Sequence, residues 1–130
     1  MTLAEKQEEM IQRIKAVGDC FDQYNYLVVK AQSLPEMSPE NKKDENLVSG
    51  CQSLLWLFVK AEEGYLHMEA DSDTLILRGV LEILRELFDG EKIEEIQALP
   101  VRLFEETELA ATFTSDRNTG IKTIIQKLKE

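Results

Sequence analysis

Cysteine and histidine are scarce in this chain of 130 residues, which contains two cysteines and one histidine. An iron–sulfur cluster needs about four ligands, usually thiolates, and a structural zinc site needs about as many from cysteine and histidine. This chain cannot supply either set by itself. The cysteines also form no Cys-x-x-Cys motif, because position 54 is Leu, and this argues against thioredoxin-type exchange. A cysteine hydrolase would have only His67 as its base.

Positive charge and glycine-rich loops are also in short supply. The chain has 15 basic and 25 acidic residues, for a net charge of −10. Binding to nucleic acid or to an anionic membrane surface requires clustered Lys and Arg, so we expect neither partner. Gly50, Gly64 and Gly90 stand alone, and no phosphate-binding loop is present. We therefore expect no metal and no cofactor of the protein's own.

Long hydrophobic runs are missing as well. The N-terminus, Met-Thr-Leu-Ala-Glu-Lys, has no apolar signal core, and the longest apolar runs are far too short to span a bilayer. We expect a cytoplasmic protein whose cysteines stay reduced. The length predicts a single domain over residues 1–130, as a monomer or a weak homodimer.

Helical patterns dominate the N-terminal third. Thr2 and Glu5 have the spacing of a capping box, which predicts a helix that begins at Leu3 and ends at Gly18. Asp19 then caps a second helix, which Leu34-Pro35 ends.

The middle of the chain predicts a small antiparallel sheet of about three strands. The strands are a short Leu47–Val48, the long apolar Ser53–Lys60, and Tyr65–Ala70, in which apolar and polar residues alternate. Glu62 to Gly64 forms the turn between the last two.

The C-terminal half is helical again. Asp71-Ser72-Asp73 offers capping residues for a helix over Thr74–Phe88. This helix is apolar around most of its circumference and is predicted to be the central core helix. Gly79 inside it predicts a close approach to the sheet. We expect further helices from Pro100 and after Thr114. The fold class is therefore α+β, a small antiparallel sheet packed against a bundle of helices.

Cys51 is the candidate nucleophile. It follows Gly50, which permits a sharp bend, and it precedes the apolar run from Leu54 to Val59. A thiol at the mouth of a buried strand suits chemistry better than packing, although free cysteine is also among the most buried residue types, so an inert core cysteine is the alternative. Cys20, by contrast, is interpreted as a packing or incidental thiol.

Three motifs, taken in order and spacing, resemble the SufE family of sulfur acceptors. They are Gly50-Cys51-Gln52-Ser53-x-x-Trp56, Asp71-Ser72-Asp73-x-x-Ile76-x-x-Gly79 and Arg117-x-x-Gly120. The resemblance covers nearly the whole chain and implies a fold of the SufE/IscU-like type.

The resemblance also implies a mechanism. A pyridoxal-phosphate cysteine desulfurase (SufS-like) holds sulfur as a persulfide, the Cys51 thiolate takes the outer sulfur, and a downstream iron–sulfur scaffold (SufBCD-like) receives it. The protein would be a sulfur-transfer accessory without turnover of its own. The residues implied to bind the partner or support the loop are Gly50, Gln52, Ser53, Asp71, Ser72, Asp73 and Arg117.

Two other functions remain open at this point. The protein could activate the desulfurase by contact alone, with Cys51 dispensable. It could also carry sulfur to another acceptor, such as a tRNA-modification enzyme.

Overall fold

A computed structural model describes residues 1–48, 54–113 and 115–130. In that part of the chain the elements are α1 (Leu3–Val17), α2 (Cys20–Ala31), β1 (Leu55–Glu62), β2 (Tyr65–Ser72), α3 (Leu75–Phe88), α4 (Ile93–Ala98) and α5 (Ser115–Leu128), with 3-10 turns at Asp44–Asn46 and Leu109–Thr112. The predictions that concern Gly50, Cys51, Gln52, Ser53 and Thr114 lie outside the described residues, including our expectation that Thr114 caps the last helix.

Helices α1 and α2 begin and end close to where the sequence predicts. Thr2 and Glu5 form the expected capping box, and Asp19 forms a second one with Asp22. Gly18 ends α1 at φ 138°, a conformation that a side chain rarely adopts. Helix α2 ends at Ala31, and Leu34, which follows two turn residues, is buried.

The sheet of the described residues is one antiparallel hairpin. Strand β1 pairs with β2 from Leu55↔Ser72 to Glu62↔Tyr65, and the turn residues Glu63 (φ 53°) and Gly64 (φ 85°) both have positive φ. Two such residues match the twist of the flanking strands. The sequence-based expectation of about three strands is corrected here, because Leu47 makes only an isolated bridge to Trp56.

Helix α3 is the core of the molecule, as predicted. Its buried apolar residues are Ile76, Leu77, Val80, Leu81, Ile83, Leu84, Leu87 and Phe88. The reason for Gly79 differs from the prediction. A Cβ built on it would lie 2.2 Å from the carbonyl oxygen of Leu27, so the close approach is to the backbone of α2 rather than to the sheet.

The helix predicted from Pro100 is not formed. Residues 99–108 run as coil and turns instead, and two buried glutamines bind their backbone. Gln7 donates to the Pro100 carbonyl at 3.1 Å and accepts from the N–H of Arg102 at 2.8 Å. Gln23 accepts from the N–H of Glu108 at 2.7 Å. These side chains satisfy peptide groups that a helix would otherwise pair.

Candidate functional site

The candidate site lies where β1 begins, beside the segment 49–53 that contains Cys51. Val48, on one side of this segment, donates its N–H to the Leu55 carbonyl at 2.8 Å. Leu54, on the other side, donates its N–H to a carboxylate oxygen of Asp73 at 3.1 Å. Both ends of the segment are therefore held at the same end of the hairpin. Cys51 is three residues from each of them, a chain length that reaches at most about 11 Å.

Asp71, Ser72 and Asp73 lie at this end of the sheet, as part of β2 and its continuation. The Ser72 hydroxyl donates to the Leu54 carbonyl at 2.7 Å, and the Asp73 N–H donates to the same oxygen at 3.1 Å. Their predicted role as a helix cap is wrong, because Asp71 and Ser72 end β2 and the N-cap of α3 is Thr74. Ser72 and Asp73 hold Leu54, the first residue that the structure describes after Cys51.

A pocket of about 570 Å³ opens beside these residues. Its lining residues come from the connection after α2, from the end of β2 and the residue after it, and from the start of α3: Leu34, Pro35, Glu36, Lys42, Asp71, Ser72, Asp73, Leu75 and Arg78. Leu54 and Leu75 are exposed apolar side chains, at 49% and 48% of their surface. Apolar groups thus lie next to a polar pocket wall.

Two cations face Asp71 in this pocket. Lys42 Nζ lies 2.8 Å from one carboxylate oxygen, and Arg78 Nε lies 3.4 Å from the other. Lys42 Nζ also lies 4.7 Å from the centre of the Trp56 ring, within the range of a cation–π contact. Asp71 and Trp56 are direct partners across the hairpin. The Lys42 ammonium therefore contacts both members of one cross-strand pair.

The connection between α2 and β1, residues 35–46, forms a strap across the outer side of the hairpin. Glu69 on β2 accepts from the Ser38 N–H at 2.7 Å and from the Asn41 side-chain amide at 2.7 Å. The hydrogen bonds from Ser38 and Asn41 lower the pKa of Glu69, and they outweigh its partial burial, which acts to raise that pKa. Met37, also in the strap, is buried. Strap and sheet are thus tied at two acidic positions of β2, Glu69 and Asp71.

The other residues considered from sequence lie elsewhere. Arg117 is half-buried in the first turn of α5, and its role at the cysteine segment stays a prediction. Cys20 is a free, exposed thiol at the start of α2. His67 is a surface residue of β2 with a side chain 43% exposed.

Lys42 and Glu69 are residues of this region that sequence reasoning missed. Lys42 is one of two adjacent lysines in a charged connection, and its partner Asp71 is 29 positions away. No local pattern marks such a pair.

Two negative observations apply to residues 1–48, 54–113 and 115–130. Within these ranges no three His, Cys, Asp or Glu side chains gather in a group suited to a metal ion. No helix there is both long and apolar enough to cross a bilayer.

The chain is similar to known proteins over nearly its whole length. A family model described as the SufE, Fe-S metabolism associated domain matches residues 8–130. A SufE-like protein of Rhizobium etli, named as uncharacterized, is 29% identical, and the match covers 95% of this chain and 86% of that one. The solution structure of a hypothetical protein from Thermus thermophilus superposes with a TM-score of 0.80 at 19% identity, over 99% of this chain and 93% of that one. That likeness confirms the α+β fold. The chain belongs to the SufE family, whose domain is associated with iron–sulfur metabolism.

Proposed function

We propose that this protein accepts sulfane sulfur on Cys51 from a pyridoxal-phosphate cysteine desulfurase and passes it to an iron–sulfur scaffold. The observation that carries the proposal is the family match over residues 8–130, because the Cys51 motif lies inside that range. We expect the exchange to take place in the cytoplasm, with the protein as an accessory that has no turnover of its own.

The chemistry is a thiol–persulfide exchange. The Cys51 thiolate attacks the outer sulfur of the desulfurase persulfide, and a new sulfur–sulfur bond forms as the old one breaks. The desulfurase cysteine leaves as a thiolate, so sulfur moves between proteins with no net oxidation or reduction. The rate depends on the fraction of Cys51 present as thiolate and on its access.

The surroundings of the segment support this role. Its two ends are held by main-chain and carboxylate hydrogen bonds at Val48 and Leu54, which fixes the region that Cys51 can reach. The exposed side chains of Leu54 and Leu75 offer an apolar contact surface beside the pocket. A partner that docks there would meet apolar groups and a cluster of paired charges. We propose that Asp71, Ser72 and Asp73 support the segment, and that Gly50, Gln52, Ser53 and Arg117 are the remaining motif residues that act with them. The bonds from Ser72 and Asp73 to Leu54 favour this role.

The chain's two cysteines provide a matched test. The protein is incubated with a cysteine desulfurase, pyridoxal phosphate and cysteine, and its intact mass is measured without reductant. We expect a gain of one sulfur atom that disappears in Cys51→Ser and persists in Cys20→Ser. A gain of one sulfur atom that remains in Cys51→Ser would refute the assignment. The turnover of the desulfurase is measured in the same mixtures. If Cys51→Ser still raises it fully, the protein activates the desulfurase by contact alone.

A further inference from the structure

We propose that Lys42 is a positioning residue, which holds the stem of the Cys51 segment in one place through Trp56 and Asp71. By stem we mean Leu47 and Val48, the last described residues before the segment. The inference rests on the proposed function for its effect on sulfur transfer, but not for its effect on the stem itself.

Lys42 is the point at which the strap meets the sheet next to the stem. Its ammonium group lies 2.8 Å from the Asp71 carboxylate and 4.7 Å from the Trp56 ring centre. An ammonium held by an ion pair on one side and a ring face on the other has little freedom to move. The 39% of the Lys42 side chain that remains exposed leaves this contact at the surface rather than in the core.

Trp56 connects this contact to the stem. It pairs with Asp71 on one side and forms the bridge with Leu47 on the other. The Val48 N–H bond to Leu55 lies immediately next to that bridge. This short contact has no further strand beside it among the described residues. How often it opens therefore depends on how firmly Trp56 and the strap are held, in addition to the burial of the Val48 side chain.

The chain offers a matched control in the next residue. Lys43 lies in the same strap and has the same charge, but its ammonium lies 3.6 Å from Glu45 in a pair that is exposed on both sides. A substitution at Lys43 therefore changes the net charge of the strap equally without touching Trp56. Any effect that requires Lys42 specifically must come through its contacts with the hairpin.

The first experiment measures the stem without a desulfurase. In amide hydrogen exchange, we expect Lys42→Met to speed exchange of the Val48 N–H at least fivefold, with amides of α3 unchanged. Trp56 is the chain's single tryptophan, so its emission spectrum should shift in the same variant. Lys42→Arg keeps the cation over the ring and should restore both signals, and Lys43→Met should change neither. Unchanged Val48 exchange in Lys42→Met, or an equal change in Lys43→Met, overturns the inference.

The second experiment measures sulfur transfer with increasing concentrations of each variant. A loosely held stem presents Cys51 in the correct place for a smaller fraction of the time, which raises the apparent KM for the acceptor. We expect a threefold to tenfold rise in KM for Lys42→Met at unchanged kcat, and less than twofold for Lys42→Arg and Lys43→Met. Faster Val48 exchange with an unchanged KM overturns the role in transfer. If wild-type protein gains no sulfur at all, the proposed function fails, and the exchange experiment still decides whether Lys42 holds the stem.

Discussion

Replacing Gly79 with alanine should destabilise this protein, although the same change stabilises most helices. Gly79 is in the middle of α3, where alanine is ordinarily favoured by about 1 kcal/mol over glycine. Here the added Cβ would lie 2.2 Å from the Leu27 carbonyl oxygen, 2.8 Å from its carbon and 3.0 Å from its Cα. All three atoms belong to the backbone of α2, so no side-chain rotation can relieve the contact.

The expected size follows from what must move. Helices α2 and α3 must separate by on the order of 1 Å to reach an ordinary contact distance. Leu27, the residue of α2 at this contact, is fully buried. Overpacking of a core costs about 1 to 3 kcal/mol. With the upper end of that range for a backbone contact, and with the propensity gain subtracted, we expect a net loss of about 2 kcal/mol.

Urea unfolding followed by circular dichroism measures this change. The midpoint should fall while the m value stays constant, because the folded and unfolded surfaces are nearly unchanged. Gly90→Ala is the control, since Gly90 has φ 78° and no atom within 4 Å of its Cβ position; it should cost only about 1 kcal/mol of backbone strain. A stabilised Gly79→Ala variant would refute the close approach of the two helices.

Two further predictions concern buried and pH-dependent hydrogen bonds. Gln7→Ala removes both side-chain bonds to the coil at residues 100–102 and should cost about 2 to 3 kcal/mol of unfolding free energy. Gln12→Ala, which removes an exposed amide that donates to Glu8, should stay within about 0.5 kcal/mol. Equal losses in the two variants would contradict the stabilising role of the Gln7 bonds. The hydrogen bond from the Ser38 N–H is the main reason that the pKa of Glu69 in the folded protein lies below its value of 4.5 in the unfolded chain. The contribution of Glu69 to the stability of the fold is therefore complete above that value and is lost as the pH falls through the folded pKa. Urea midpoints at pH 7 and pH 3 should therefore differ less in Glu69→Gln than in the wild type, and an unchanged difference would contradict the contribution of Glu69.

Local signals predicted most of the elements correctly. The Thr2–Glu5 and Asp19 capping boxes act over three residues, and the alternation from Tyr65 onward has a period of two. The burial of α3 is predicted by the apolar residues that occupy most positions of its own sequence. Such signals depend on neighbours along the chain, which the sequence displays directly.

Predictions failed where groups that are distant along the chain compete with local propensity. Pro100 can begin a helix, but Gln7, 93 positions away, binds its carbonyl. Asp71 and Ser72 are good capping residues, yet they end a strand because β1 pairs with them. In each case a long-range hydrogen bond outweighed a local preference of about 1 kcal/mol.

The sequence by itself determined the α+β class, the capped helices, the hairpin and the choice of Cys51 as the candidate thiol, because each rests on residue type or on spacing within a few positions. Only the tertiary structure decided that Lys42 contacts Trp56 and Asp71. It also decided that Gly79 allows the backbone of α2 to approach α3 closely, and that Ser72 and Asp73 bind Leu54. These contacts join positions 14 to 52 residues apart. Their partners are selected by packing in three dimensions, for which no periodicity in the chain provides a signal.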